Sequence, residues 1–395
     1  MIPEGWQLKR LGDLLERVVV PVIPEPTKSY REIGIRSHGK GLFYKEPVTG
    51  QSLGAKRVFE IVPNCLILNI VFAWEQAVAI TTENEIGMIA SHRFPMFKPR
   101  GQSCDIKYLI NLFKTPYGKY LLNIGSPGGA GRNKTLGQEE FSRITISLPP
   151  LQEQTKIAEF LSCWDRAIEL TNNLFCCLTQ IRTQLLRNTI NSADAKLVKL
   201  KTLTTHLARG ITPKYANSQN EYPILNQKAL RWGAINKRDL KYLEPELASQ
   251  VGQIELIQEG DVVINSTGDG TIGRAYFFET TPGYLAIDSH ITLIRTNSEK
   301  LNPLFLELIF ESPEGQRQIL NLTTGSTGQA ELSPTSLGHF PVPLISLTAQ
   351  KELINRFRSM RAHLRCLEQL KGQLILQKQA LMHQLLTGKT RVKVS

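Results

Sequence analysis

The chain has 395 residues, a formal net charge of +12 and 41% hydrophobic residues, enough for two or three domains with ample cores. No apolar run approaches the ~20 residues that cross a bilayer, and the start MIPEGWQLKR lacks the apolar stretch of a signal peptide. We therefore expect a soluble cytoplasmic protein, with no membrane partner. Its surplus of cations lies in residues 1–150 and 344–395 while 151–343 is near neutral, which points to an anionic partner.

Leu8, Leu11, Leu14 and Leu15 predict a helical turn or two in the first 20 residues. After Pro21, Pro24 and Pro26 comes YREIGIRSHGKGLFYKEP, short β-branched pieces separated by glycine, which reads as strands joined by loops. Its cations Arg31, Arg36, His38, Lys40 and Lys45 fit either phosphate and base-edge contacts or an ordinary solvated loop. Residues 58–74 predict a strongly buried strand, MIASHRFPMF a second strand region, and Asp105 to Asn123 a helix. The small-residue loop GSPGGAGRNK (125–134) follows, with Arg132 and Lys134. Its glycines permit close approach to DNA or another chain, or serve simply as a turn.

A longer element begins at Pro149-Pro150, which cannot continue a helix but can precede one. Ile157, Leu161, Trp164, Ile168, Thr171, Leu174, Leu178, Ile181 and Leu185 follow at spacings of three and four, the seam of a coiled coil. The same series recurs 196 residues later as Leu353, Phe357, Met360, Leu364, Leu367, Leu370, Leu374, Gln377 and Leu381. Fainter matches keep their order along the whole chain. Leu136 and Phe141 answer to Leu332 and Leu337, Pro116 and Gly118 to Pro313 and Gly315, Ser91-His92 to Ser289-His290, and Tyr30 and Gly41 to Tyr222 and Gly233. The architecture is a tandem duplication.

In the second copy GDVVINS (260–266) and LAIDSHITLIR are the strand counterparts, Pro303 to Leu322 the helical one, and TGSTGQAEL (324–332) the small-residue loop. Gly268-Asp269-Gly270-Thr271-Ile272-Gly273 fits a dinucleotide fingerprint, but it leads into RAYFF rather than a helix, so a tight hairpin is expected. Gly388-Lys389-Thr390 lacks the glycine that a phosphate loop needs five residues earlier, and Asn302-Pro303-Leu304-Phe305 matches a methyltransferase tetrapeptide only in part. His92 and His290 show no catalytic partner in the sequence. Cys65, Cys104, Cys163, Cys176, Cys177 and Cys366 form no CxxC pair, so we expect reduced structural thiols, with no metal site.

Three stretches carry a family resemblance: Pro3-Glu-Gly-Trp with Leu11-Gly-Asp13, the run Ile146-Ser-Leu-Pro-Pro-Leu-Gln-Glu-Gln-Thr-Lys-Ile-Ala158 with Asp165 and Ile168 behind it, and Leu385-Leu-Thr-Gly-Lys-Thr-Arg-Val392. Together they resemble the DNA-specificity subunits of type I restriction-modification systems, over the whole chain. The second copy keeps Leu347 at the place of Leu151 but departs at Ser346 and Ala349, which replace Pro150 and Glu153. The resemblance implies an α+β fold of two similar α/β target-recognition domains related by a pseudo-twofold axis and separated by two long antiparallel coiled-coil helices. The expected boundaries are domain one at 1–148, helix one at 149–195, domain two at 196–345, and helix two with a tail at 346–395.

The resemblance further implies a non-catalytic subunit in which each domain reads half of a split asymmetric site on double-stranded DNA. Two methyltransferase subunits would dock on the helices, restriction/translocase subunits would join through the complex, and S-adenosylmethionine and ATP would be used on the partner subunits. A helix of roughly 39 residues spans about 58 Å, more than one turn of B-DNA at about 34 Å, so it can act as a spacer. Arg36, His38, Lys40, Arg132 and Lys134 in domain one, and Arg209, Lys214, Lys228, Arg231 and Arg274 in domain two, are the loop-like basic positions expected at the DNA. The rival readings are a coiled-coil structural adaptor with no DNA role and a subunit detached from a fused enzyme.

Overall fold

The computed structural model describes residues 2–128, 134–190, 196–325 and 330–393. It forms two compact units, Met1–Thr171 with Leu370–Ser395, and Asn172–Gln369. Each contains a globular α+β part and one half of each of two long helices.

In the first unit β1 (Gln7–Arg10) leads through a single helical turn into β2 (Leu15–Val18), and a hairpin is made by β3 (Ile33–Ile35) and β4 (Leu42–Tyr44). The main sheet is completed by β5 (Leu66–Leu68), β6 (Val78–Ile80) and β7 (Met96–Pro99), in the antiparallel order β6-β5-β7-β2. All three residues of β5 are buried, because the central strand is covered on both faces, which is why it reads as an unbroken apolar run. The 58–74 stretch is not one strand. Val58–Glu60 pairs in a separate small sheet, and Pro63 with Asn64 at a φ of 56° breaks the chain before β5.

The expected helix at 105–123 is likewise two, α1 (Ile106–Phe113) and α2 (Pro116–Ile124). Asp105 caps the first and Thr115 the second, with Pro116 at the first helical position, where a missing N–H costs nothing. β8 (Thr145–Leu148) then returns to pair with β1 and runs into α3 (Leu151–Ile190).

The second unit repeats this order. β9 (Lys196–Lys199), β10 (Thr204–Arg209), a small hairpin of β11 (Leu230–Arg231) and β12 (Ala234–Ile235), then β13 (Val262–Asn265), β14 (Ala275–Phe277) and β15 (Ile291–Thr296) give the sheet order β14-β13-β15-β10. That is the first sheet's order, strand for strand. α4 (Pro303–Glu311) and α5 (Pro313–Leu322) follow, capped by Asn302 and Ser312, and β16 (Pro341–Leu344) pairs with β9 before α6 (Leu347–Leu386). β13 and β14 pair antiparallel around the glycine-rich segment 268–273, which is therefore the hairpin that the sequence predicts.

Gln154 and Gln350 anchor the helix starts to their domains, 196 residues apart. Buried Gln154 accepts from the Asp105 N–H at 2.8 Å and donates to the Pro149 carbonyl at 2.8 Å. Buried Gln350 accepts from the Asn302 N–H at 2.8 Å and donates to the carbonyls of Ile345 and Lys300. Each amide thus satisfies polar backbone groups that burial would leave unpaired.

Within each unit the helix halves run antiparallel. In the first, Lys378 donates to Asp165 at 2.5 Å and Arg391 chelates buried Glu153 at 2.6 and 2.7 Å. In the second, Arg182 and Arg361 both reach Glu311 of α4, and Arg182 stacks over Phe357.

Ile157 and Leu161 are fully buried in the first domain's core, and Phe357 in the second's. Trp164, Ile168, Leu178, Leu185, Leu353, Met360, Leu364, Leu374 and Leu381 are half-buried. Leu174 and Ile181, expected on the seam, are exposed at 55% and 50%, and so is Leu370. Phe175 and Arg182 take the covered positions instead, because Glu311 compensates the arginine there. Cys65 and Cys104 are buried free thiols, as expected of structural ones, whereas Cys163, Cys176, Cys177 and Cys366 lie exposed on the long helices and pack into no core.

Candidate nucleic-acid interface

In the first unit three loops gather where the central strand β5 ends. Asn69 follows the strand and its side chain accepts from the Val71 N–H, turning the chain into a 3-10 turn at Ala73–Glu75 and then Gln76, which is left-handed at a φ of 60°. The tip of the β3–β4 hairpin rests on this turn. The His38 N–H donates to the Glu75 carbonyl at 2.7 Å, the Gly39 N–H to that of Gln76 at 2.9 Å, and Ser37 Oγ to the Glu75 carboxylate at 3.1 Å.

His38, Gly39 and Gly41 all adopt positive φ, which lets the tip fold tightly and turns Arg36, His38 and Lys40 to solvent. Arg36 is steadied by the Leu42 carbonyl and by the Phe43 ring, 5.3 Å away; that ring in turn lies on Gly34, where a Cβ would meet it at 2.2 Å. From the third loop Lys134 donates to Asn123 at 2.8 Å and lies 5.7 Å from the Trp74 ring. Arg132 lies outside the described residues.

The second unit builds the same meeting place with other side chains. Asn265 stands 196 residues after Asn69 at the end of β13. Gln227 accepts from Thr267 at 3.1 Å and takes a hydrogen bond from Asn265 on its backbone carbonyl. Gly268, at a φ of 93°, has no room for a Cβ against the Gln227 side chain. Thr267 also bridges to Glu331 of the small-residue loop, and Glu331 pairs with Arg209 at 2.7 Å.

Lys228 is exposed beside Gln227; Arg231, at the start of a hairpin tip formed by exposed Trp232 and left-handed Gly233, pairs with Asp239 at 3.1 Å. Arg274 donates to the Gly270 carbonyl at the end of the glycine turn. The structure thus gathers Arg209, Lys228 and Arg274 around Gln227 and Thr267, while Arg231 stays on the neighbouring hairpin with Asp239. Exposed Lys214 sits on a separate segment, tied through its own carbonyl to Glu244.

Arg36, His38 and Lys40 face solvent in the first gathering, with Lys134 by half-buried Trp74; Lys228 does so in the second and Arg231 beside it, with exposed Trp232 next to Arg231. Such a surface offers cations for phosphates and donors for base edges. Charge-based reading missed Trp74, Trp232 and Gln227. The signal available for them was position, since each lies beside a turn that the repeat aligns.

Among the described residues, no catalytic grouping forms around the histidine and cysteine that the sequence singles out. His290 Nδ1 bonds to Thr267 at 2.8 Å, but Asp288 accepts from the His290 backbone N–H rather than from its ring, so the imidazole has no carboxylate to orient it. Burial pushes the Cys104 thiol up to about 11, away from a reactive thiolate. Among the described residues no His, Cys, Asp and Glu cluster could hold a metal ion, and no helix is long and apolar enough to cross a membrane.

Residues 3–175 match the model of the type I restriction modification DNA specificity domain. Residues 3–175 therefore carry a DNA specificity domain of the type I restriction-modification kind, and the chain as a whole is similar to specificity subunits of such systems. The specificity subunit of the EcoKI type I restriction enzyme from Escherichia coli K12 is 23% identical over 319 residues, covering 73% of this chain and 67% of that one. The putative MjaX specificity subunit of Methanocaldococcus jannaschii is 22% identical, covering 99% of this chain and 95% of its own. The S subunit of a type I restriction-modification system from M. genitalium has the same fold, with a TM-score of 0.58, 12% identity and 100% of both chains covered.

Proposed function

We propose that this chain is the non-catalytic, sequence-specific DNA-binding subunit of a type I restriction-modification complex, working in the cytoplasm. Each domain reads one half of a split asymmetric site on double-stranded DNA. The long helices set the unread spacer between the halves and dock two methyltransferase subunits, through which restriction/translocase subunits join. S-adenosylmethionine and ATP serve the partner subunits.

The observation that carries this reading is the recurrence of one loop meeting place, at the end of β5 and again at the end of β13, with different side chains in each. A duplicated scaffold with diverged loops is what two unlike half-sites require. Arg36, His38, Lys40 and Lys134 serve one half, and Arg209, Lys228, Arg231 and Arg274 the other, with Arg132 and Lys214 as further contacts. Arg209 and Arg231 must exchange Glu331 and Asp239 for DNA, so they contribute less net affinity than Lys40 or Lys228, which form no ion pair among the described residues.

The test is binding and methylation with the partner subunits over a randomised DNA library. Exchanging residues 196–343 for those of a relative should change one half-site only. Replacing Lys40 or Lys228 by alanine should weaken binding about threefold and lower the salt slope by about one. A change in both half-sites, or binding insensitive to salt, would refute the reading.

A further inference from the structure

The two units differ at the corner where the globular part meets the long helices. The caps Thr115 and Ser312 align the corners, since each accepts from a glycine N–H three residues on, Gly118 and Gly315. Lys114 therefore stands where the second unit has Glu311, Tyr117 where it has Glu314, and Lys119 where it has Gln316. On the helices, His383 and Lys378 stand 196 residues after Arg187 and Arg182, and Arg361 stands 196 after Asp165.

In the second unit this corner is closed by ion pairs. Arg187 donates to Glu314 at 2.7 Å, Arg361 reaches Glu311 at 3.1 Å and buried Glu307 at 3.5 Å, and Arg182 binds Glu311 as well. Gln316 plugs the end of α4 by donating to the Phe310 carbonyl at 2.6 Å.

In the first unit the same corner is open. Lys378 has turned to Asp165, and among the described residues no carboxylate forms an ion pair with Lys114, which feels Asp165 only as a charge beyond pairing distance, or stands at Tyr117. Gln76 plugs the Phe113 carbonyl from elsewhere, which frees the position of Gln316 for Lys119. What remains is a groove of about 960 Å3 with Leu112, Pro116, Met382 and Leu386 on its walls. Its rim carries Lys114, Lys119 and His383, the last beside Lys389 at 3.1 Å. Crowding by the protein lowers the Lys114 pKa, with Asp165 opposing and Lys378 reinforcing the shift. A further anion there would be welcome.

We infer that this groove receives an acidic, apolar-faced segment of a protein partner, whose carboxylates take the places that Glu311 and Glu314 fill from within the second unit. Charge complementarity argues for it, because the duplicated corner shows which groups close this geometry. So does continuity with the candidate DNA surface: Gln76 belongs to both, and a Cβ on Gly39 would lie 2.8 Å from the Lys114 side chain. A partner seated here would touch the loop tip that carries Arg36, His38 and Lys40. The inference rests on the reading that methyltransferase subunits dock on this chain, and it locates one of their contacts in the first unit only.

The test uses the full chain with the methyltransferase subunit of its system. Tyr117→Glu with His383→Arg rebuilds the Arg187–Glu314 pair across the groove and shuts it from inside. Assembly should weaken about tenfold or more, with the melting temperature maintained and affinity for DNA unchanged. Lys119→Glu alone should weaken assembly in the same direction by a smaller factor. Unaltered assembly by both variants overturns the inference while leaving the functional reading intact. Loss of DNA affinity with normal assembly overturns it too, since the groove would then follow nucleic acid. Failure of the unaltered chain to assemble removes the functional reading and this one with it.

Discussion

The two units share a sheet order and a helix-anchoring glutamine, yet they are fastened differently. The first is held by Glu153, whose buried carboxylate takes two hydrogen bonds from Arg391 in the tail. In the second copy Ala349 stands in place of that acid, and fastening falls to α4, whose Glu307 and Glu311 grip Arg361 and Arg182. Duplication kept what the backbone needs and left the charges free to change. A hydrogen bond to a buried carbonyl has few substitutes, whereas an ion pair can be rebuilt from other residues or with its signs exchanged.

The shared feature gives the largest expected effect. Replacing Gln154 or Gln350 by leucine strands buried backbone groups and should cost about 3 kcal/mol in either copy, measured by denaturant unfolding of the full chain. A large loss at one position and none at the other would show that the copies no longer rely on the same anchor.

The unshared fastening comes next. Arg391→Ala leaves a buried carboxylate without its cation and should cost about 2 kcal/mol, whereas Glu153→Ala should cost about half as much, because it only makes the first unit resemble the second. The double variant should match Glu153→Ala in the same unfolding experiment. Additive losses would mean that the two side chains act independently.

The smallest effect concerns pH. Burial raises the Glu307 carboxyl to about 7, Arg361 lowering it and Glu311 raising it, with Arg182 also lowering it. Tyr276, held above its ordinary value first by burial, feels the same carboxylate. The folded chain therefore binds Glu307's proton more tightly than the unfolded chain, and stability falls as pH rises from about 4.5 to about 7. Glu307→Gln should remove about 1 kcal/mol of that slope, read as a melting temperature that changes less between pH 5 and pH 7.5 than that of the unaltered chain. An unchanged slope would place the titration elsewhere.

The sequence displayed the duplication because core and cap residues repeat at nearly fixed separation: Leu136 and Leu332 donate their N–H groups to Ile70 and Ser266, both at 2.8 Å. It displayed the long helices through Pro149-Pro150, and the hairpin at 268–273 through the β-like residues behind it. It hid the breaks within apolar runs at Pro63-Asn64, Thr115-Pro116 and Ser312-Pro313, since hydrophobicity carries across a turn that a cap and a proline impose.

The covered stripe of α3 was obscured for another reason. Leu170, Leu174 and Ile181 form a second apolar stripe on that helix, and apolarity alone cannot prefer a face containing Arg182 until Glu311 is known to meet it. At the candidate site, loop cations could be named from charge, but not their carboxylate partners. Glu331 and Asp239 are distant in sequence or look like ordinary surface acids.

Arg391, besides holding Glu153, donates to the carbonyl of Glu4, and Gly388 packs against Pro3 and Trp6. Residues 3–6 and 388–391 are thereby stitched side by side. A short linker could join them at little entropic cost, and a new opening cut in some exposed turn would leave every packed element where it was. For this molecule, the order in which the ribosome delivers the pieces is one among several that would make the same object.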